Sequence, residues 1–252
     1  MKMHLLSGGR LRMRRSIFVP SADKAELIEL PVVSTLFRHA RANVLFDTGC
    51  HPGVADDPAA CWGSLAKFMA PIMQPGEHVI SGLAALGVAP DDIDIVVNSH
   101  LHTDHCGCNA FFRKATFLVH KREIEAARLA SDGSGYFATD WDCGLPIDAL
   151  AGQRDLFGDG RIVLIELPGH TPGSIAALAR LDRSGTYLVA GDTVSLRETL
   201  DTGILPRNTW NADALARSLA EVRRIEATGA TVICSHDAGQ WATLRKGADA
   251  YD

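Results

Sequence analysis

Apolar residues in this chain fall in short runs, and most runs stop at a Gly, a Pro or a polar residue. "SIFVP", "ELPVVSTLFRH" and "NVLFDTG" are rich in β-branched and aromatic side chains and read as strands. "DPAACWGSLAKFMAPIM" and "HVISGLAALGV" read as helical, with Pro71 and Pro75 breaking the region between them. "DIDIVVNSH" predicts a buried strand, and "KREIEAARLA" a charged, exposed helix. The second half repeats the scheme with strands "GRIVLIEL", "IAALARL", "TYLVAGD" and "ATVICSH". Between the last two lies a helix in which Leu215, Leu219, Val222 and Ile225 form one apolar stripe behind Asn211 as N-cap. No linker or low-complexity tract divides the halves. The expectation is one α/β domain over residues 1–252, made of two similar β-rich halves with helices outside.

Composition narrows this picture modestly. The chain is 46% hydrophobic and 22% charged, which is ordinary globular usage and enough for a sizeable core. A formal net charge of −5 argues against a nucleic-acid binder, since phosphate recognition needs clustered Lys and Arg. The one basic cluster, "GRLRMRR", is short and reads as a solvated loop or strand edge. No apolar run approaches the ~18 residues of a membrane span, and the N-terminus has no signal-like core. Six scattered cysteines in a chain of this length fit reduced thiols in a cytoplasm better than a disulfide framework. A monomer and a homodimer both remain open.

The chemistry concentrates in "SHLHTDHCG". His100, His102, Asp104 and His105 crowd into six residues, a pattern that ten His among 252 residues produce by chance roughly once per thousand such chains. In an extended segment His100 and His102 point to the same side, and the turn after Thr103 can swing Asp104 and His105 toward a second point. Three further apolar runs end in a metal-capable residue: "IVLIELPGH" at His170, "YLVAGD" at Asp192 and "TVICSH" at His236. Ligand sites in layered α/β proteins gather beyond the carboxyl ends of strands. Imidazole with carboxylate suits Zn²⁺ and also Fe, Mn or Co. Seven ligands exceed one tetrahedral ion and match two ions sharing a carboxylate. Cys106 and Cys108 flank the cluster, but with no second Cys pair nearby they read as small packing residues.

"FDTG", "SHLHTDH", "PGHTPGS", "AGD" and "SHD", in that order over nearly the whole chain, resemble the metallo-β-lactamase superfamily. The resemblance implies an αβ/βα four-layer sandwich with a dinuclear site at one edge. It implies that His100, His102 and His170 hold one metal, that Asp104, His105 and His236 hold the other, and that Asp192 bridges them. Asp47 would orient ligands without binding metal. Asp192 stands where the true β-lactamases commonly carry Cys, and little chain follows His236 to form a glutathione-holding domain. The pattern is most similar to N-acyl-homoserine lactonases and 4-pyridoxolactonase.

That resemblance implies lactone ring opening, with water activated between two divalent ions, most simply Zn²⁺, and with Asp104 moving the proton to the leaving alkoxide. Thioester, phosphodiester and β-lactam hydrolysis are the alternatives on the same site. Those lactonases usually carry Tyr where Ser195 stands and often Phe where Thr103 stands. Read as pocket-wall residues, Ser195 and Thr103 shrink or polarise the pocket and favour a small or polar lactone substrate.

Overall fold

The protein, described as a computed structural model over residues 1–131 and 133–252, is built on two mixed sheets packed face to face. The first contains β1 (Lys2–Arg14), β2 (Leu27–Arg38), β3 (Asn43–Phe46), β4 (Ala70–Pro71), β5 (Ile95–Val97), β6 (Thr116–His120) and β7 (Ile147–Leu150) in the order β4-β1-β2-β3-β5-β6-β7. The second contains β8 (Arg154–Asp155), β9 (Ile162–Glu166), β10 (Ile175–Leu181), β11 (Gly185–Val189) and β12 (Thr231–Ile233) in the order β12-β11-β10-β9-β8. Between the early strands run the short helices α1 (Pro58–Trp62), α2 (Val79–Ala85) and α3 (Thr103–Cys106), then α4 (Lys121–Leu129) and α5 (Ala138–Trp141). The second half adds α6 (Arg197–Thr202), α7 (Ala212–Glu226) and α8 (Ala238–Thr243).

Alternation along the strands explains the layering, because successive side chains leave opposite faces of a sheet. On β10, Ile175, Ala177, Ala179 and Leu181 face inward to meet Met3, Leu5, Phe37, Phe46 and Val97 of the first sheet. Ala176 and Leu178 face outward and pack under Leu215, Leu219, Val222 and Ile225 of α7. On the other side Leu6, Leu36, Leu45 and Val96 pack under Val79 and Leu83 of α2. The result is the four-layer arrangement of helices, sheet, sheet and helices. Asn211 caps α7 as anticipated, its side chain accepting from the Ala214 amide. Among the described residues no helix is long and apolar enough to cross a membrane.

The strand directions bring the chemistry together. β3 and β5 are parallel in the first sheet; β11 and β12 are parallel in the second, and β9 shares their direction through antiparallel β10. Asp47, His100, His170, Asp192 and His236 follow the carboxyl ends of these five strands. Backbone hydrogen bonds from Ile175 to the Ser99 carbonyl (2.9 Å) and from Val33 to the Ser235 carbonyl (3.2 Å) lock the sheets at that edge.

Several local expectations differ from what forms. Of the two readings of "GRLRMRR", loop or strand edge, the strand forms: the stretch ends β1, with Leu11 fully buried and Arg10 and Arg12 facing outward to Glu29 and Glu77. "SIFVP" opens as the one-turn helix Arg15–Ile17 at the tip of the β1–β2 hairpin, so it is not a strand. The long helix expected over residues 57–73 breaks at Gly63, where φ is +53°, into α1, a one-turn helix and the two-residue β4. The strands β6, β7 and β8, and the first half of β1, are additional to those anticipated.

The loop after β3 is held by a close backbone approach. Gly49 has φ +72°, and a Cβ there would lie 2.4 Å from Gly8 Cα. Gly87 has φ +67° with open space around it. Gly87→Ala is expected to lose about 1–2 kcal/mol, the cost of left-handed backbone alone. Gly49→Ala adds overpacking and is expected to lose roughly 2–5 kcal/mol. Urea denaturation of the two variants, compared with the parent, measures the difference; equal losses would contradict the packing argument.

Candidate metal centre

At the shared strand edge seven side chains converge, all from the set expected. His100, His102 and His170 form one group and Asp104, His105 and His236 a second, with the ligand atoms of each group within 4.8 Å of one another. In the first, His102 Nδ1 lies 3.0 Å from His100 Nε2 and 3.1 Å from His170 Nε2. In the second, His105 Nε2 and His236 Nε2 are 3.4 Å apart, with Asp104 Oδ2 at 3.7 and 3.6 Å from them. Asp192 lies between the groups. Its Oδ1 sits 3.2 Å from His105 and 3.0 Å from His236, while Oδ2 sits 3.5 Å from His170.

The other edge of four of the five rings is fixed by the fold. His170 Nδ1 donates to the Asn208 carbonyl (2.8 Å), His236 Nδ1 to the Pro31 carbonyl (2.9 Å) and His105 Nδ1 to Asp47 Oδ2 (2.9 Å). Ser99 Oγ donates to Asp47 Oδ2 (2.7 Å) and meets His100 Nδ1 at 3.0 Å. Those contacts spend the Nδ1 protons of four rings, so the Nε2 lone pairs all point inward. Asp47 therefore sits where an orienting role requires, in contact with Ser99 and His105. It is the one non-glycine residue with positive φ (59°) among the described residues, in a sparsely populated backbone region of the kind that clusters at functional sites.

Inward-facing lone pairs 3.0–3.4 Å apart cannot satisfy one another by hydrogen bonding. Donors about 2.0–2.1 Å from a tetrahedral ion lie roughly 3.3 Å from each other, so the nitrogen spacing fits divalent metal. The mixed nitrogen and oxygen set fits two such ions and does not choose among Zn, Fe, Mn and Co. Cys106 Sγ turns instead to the Leu101 carbonyl and Cys108 Sγ to the Cys50 carbonyl, and burial pushes both thiols well above their ordinary range.

Electrostatics separates the two groups. Burial, and then the neighbouring imidazoles, holds His100 and His102 well below the ordinary histidine range. Burial also opposes charge on His105 and His236, but the carboxylates of Asp104 and Asp192 outweigh it and raise both, with Asp47 adding to the effect on His105. Asp192 is buried as well, yet His236, His105 and His170 hold it well below the usual carboxylate range.

Two cavities meet at this cluster. The smaller, about 150 Å³, is walled by Leu11, Met13, Phe18 and Leu30 of the β1–β2 hairpin and by Leu65 and Met69, with Asp104, Asp192 and His236 at its floor. The larger, about 770 Å³, runs from His102 and His170 past Tyr136 to Leu129 and Trp210, two large apolar side chains that are exposed. Thr103 and Ser195, anticipated on the pocket wall, line neither. The Thr103 hydroxyl is buried in a relay, accepting from Trp62 Nε1 (2.8 Å) and donating to Asp140 (2.6 Å). Ser195 turns its hydroxyl back toward the Asp192 carbonyl. Motif position gave these residues their expected place, but motif position carries no side-chain direction. Tyr136 was not anticipated. Its ring packs edge-on against His102, 4.7 Å between centroids, and nothing in "SGYFATD" marks it.

The metallo-β-lactamase superfamily model matches residues 27–236. The chain belongs to this superfamily. It is 31% identical over 259 aligned residues to the N-acyl homoserine lactonase AttM of Azorhizobium caulinodans, covering all of this chain and 98% of that protein. It is 28% identical to the N-acyl homoserine lactonase AiiB of Agrobacterium fabrum, covering 99% and 98%. Its fold matches a solved N-acyl homoserine lactone hydrolase carrying the product N-hexanoyl-L-homoserine at its catalytic metal centre, with TM-score 0.90 and 22% identity over 99% of this chain and 98% of that one. The chain thus has the metallo-β-lactamase fold, two mixed sheets with flanking helices, and a His/Asp cluster typical of dinuclear sites in that fold.

Raised histidines in the metal-free protein make metal uptake pH-dependent. A second proton on His105 or His236 would sit on the inward nitrogen that an ion would use, and the nearby carboxylates favour it, so apparent metal affinity rises with pH and levels off above their raised values. Calorimetry in buffers of different ionisation enthalpy, below the raised values of these two rings, is expected to reveal net proton release on metal binding. A binding enthalpy independent of buffer would contradict this assignment.

Proposed function

We infer that this protein is a dinuclear metal-dependent lactonase that opens the ring of an N-acyl-homoserine lactone or a related lactone. The observation that carries the reading is Asp192 between two histidine groups at the floor of an apolar-walled cavity, in a chain similar over its full length to lactonases. Two divalent ions, one with His100, His102 and His170 and one with Asp104, His105 and His236, would supply Lewis acidity and lower the pKa of water to roughly 7.

The chain's own groups do the rest. Asp104 sits beside His105 and His236 at the cavity floor, where its carboxylate takes a proton from the attacking water and hands it to the ring oxygen as the C–O bond breaks. Asp192 spans the groups, and Ser235 Oγ, donating to its Oδ1 at 2.6 Å, keeps that carboxylate in plane. Leu11, Phe18, Leu30 and Met69 exclude bulk water from the ring face, which strengthens each charge interaction inside. No Ser or Cys nucleophile is needed.

The two chambers support a division of the substrate. About 150 Å³ accommodates a small lactone ring, and the larger chamber offers Leu129 and Trp210 to an apolar substituent. With Thr103 and Ser195 off the wall, the grounds for preferring a small polar or aromatic lactone fall away. Thioester, phosphodiester and β-lactam bonds remain the alternative chemistry, since the same floor would serve them.

Metal-reconstituted protein is expected to hydrolyse acyl-homoserine lactones well above an aromatic lactone, lactoylglutathione or nitrocefin, releasing one acid equivalent per ring by pH-stat. Asp104→Asn is expected to lower kcat about 10²–10⁴-fold, the usual contribution of a proton-transferring group. Trp210→Ala is expected to reduce the preference for decanoyl over butanoyl chains about tenfold, since each buried methylene is worth roughly 0.8 kcal/mol. Hydrolysis of nitrocefin or the thioester in preference to every lactone would overturn the reading.

A further inference from the structure

One buried carboxylate lies outside the seven converging residues and is not used in the chemistry above. Glu123, in the first turn of α4, has no exposed surface. Its Oε1 accepts from the Leu101 amide at 3.0 Å and from the Tyr136 hydroxyl at 2.9 Å; its Oε2 accepts from the Gly173 amide at 3.0 Å. Leu101 separates His100 from His102. Gly173 closes the "PGHTPG" turn that carries His170. Tyr136 packs its ring on His102. Each group that Glu123 holds thus adjoins a member of the first histidine group, whereas Asp104 and His105 lie further along the Leu101 loop and His236 on a separate one. The turn lies so close to α4 that a Cβ on Gly173 would be 2.4 Å from the Glu123 backbone nitrogen.

We propose that Glu123 is a positioning residue for the first metal: by joining the His100–His102 loop of one sheet to the His170 turn of the other, it sets the separation of three imidazoles. Asp47 does the corresponding work through Ser99 and His105. A buried charge is retained at a cost, and this one is offset by three donors that an apolar residue would leave unpaired. Glutamine in its place keeps the shape but turns an amide group toward backbone N–H donors, so one of the two loops must let go. The proposal rests on the dinuclear reading above and concerns which ion depends on which loop.

The test is metal affinity, read by chelator competition, elemental analysis and Co²⁺ absorption on the full chain. Glu123→Gln is expected to loosen one ion 10–100-fold, the usual effect of removing a group that orients metal ligands, and to leave the other within about twofold. His236→Ala is expected to loosen the other, so each single variant keeps one ion and the double variant keeps none. Tyr136→Phe, which spares both amide contacts, is expected to change either affinity less than about threefold. Glu123→Asp keeps the charge but is too short to span both amides, and it serves if the Gln variant does not fold. Parental affinity for both ions in Glu123→Gln, or equal loosening of both in either Glu123 variant, would overturn the proposal. A parent that never binds two ions would overturn the dinuclear reading itself, and the proposal with it.

Discussion

The arrangement at the strand edge depends on one constraint: lone pairs of buried imidazoles face one another with no proton between them. Such a cluster is costly on its own, since buried polar atoms without partners each forfeit the water they left behind. The protein tolerates it because every ring except His102 is held from behind. Asn208, Pro31, Asp47 and Ser99 supply those contacts from four separate stretches of chain, drawn from both halves of the fold. The tautomers are thus a property of the tertiary structure. Burial and charge then divide the cluster: burial holds His100 and His102 below the ordinary histidine range, while Asp104 and Asp192 raise His105 and His236.

This explains why so much of the site could be read from the chain. Four of the seven converging residues, His100, His170, Asp192 and His236, follow a run rich in apolar residues, and a strand's direction is fixed once its run is recognised. "IDIVVNSH", "YLVAGD" and "TVICSH" therefore located their final residues in space as well as in sequence. What escaped was side-chain direction on short connections. Thr103 lies between two metal-type ligands, yet its hydroxyl is drawn off by Trp62 and Asp140, which are 41 and 37 residues away. Ser195 stands three residues after Asp192 and turns back to that residue's carbonyl. No periodicity encodes either choice, because both are set by partners remote in sequence.

The basic stretch near the N-terminus left loop and strand open for a different reason. "GRLRMRR" does alternate, with Leu11 and Met13 on one side and arginines on the other, but the density of charge masked the period of two. The Gly8–Gly9 pair also shifts the register of β1 against β2, so no long unbroken alternation exists to be seen. Its arginines pair with Glu29, Glu77, Glu26 and Glu198 at the surface, where such pairs contribute little stability. Arg10, Arg12 and Arg15 are thus paired with carboxylates of their own neighbourhood.

That same hairpin has a consequence for how such a protein can change. Leu11, Met13, Phe18 and Leu30 shape the roof over the reacting centre, and none of them is among the residues whose atoms converge beneath it. The roof belongs to a separate apolar cluster at the hairpin end of the first sheet, while the floor is set by strand ends and by carboxylates buried behind them. Substitutions in the roof can therefore alter which ring enters without disturbing the atoms that act on it.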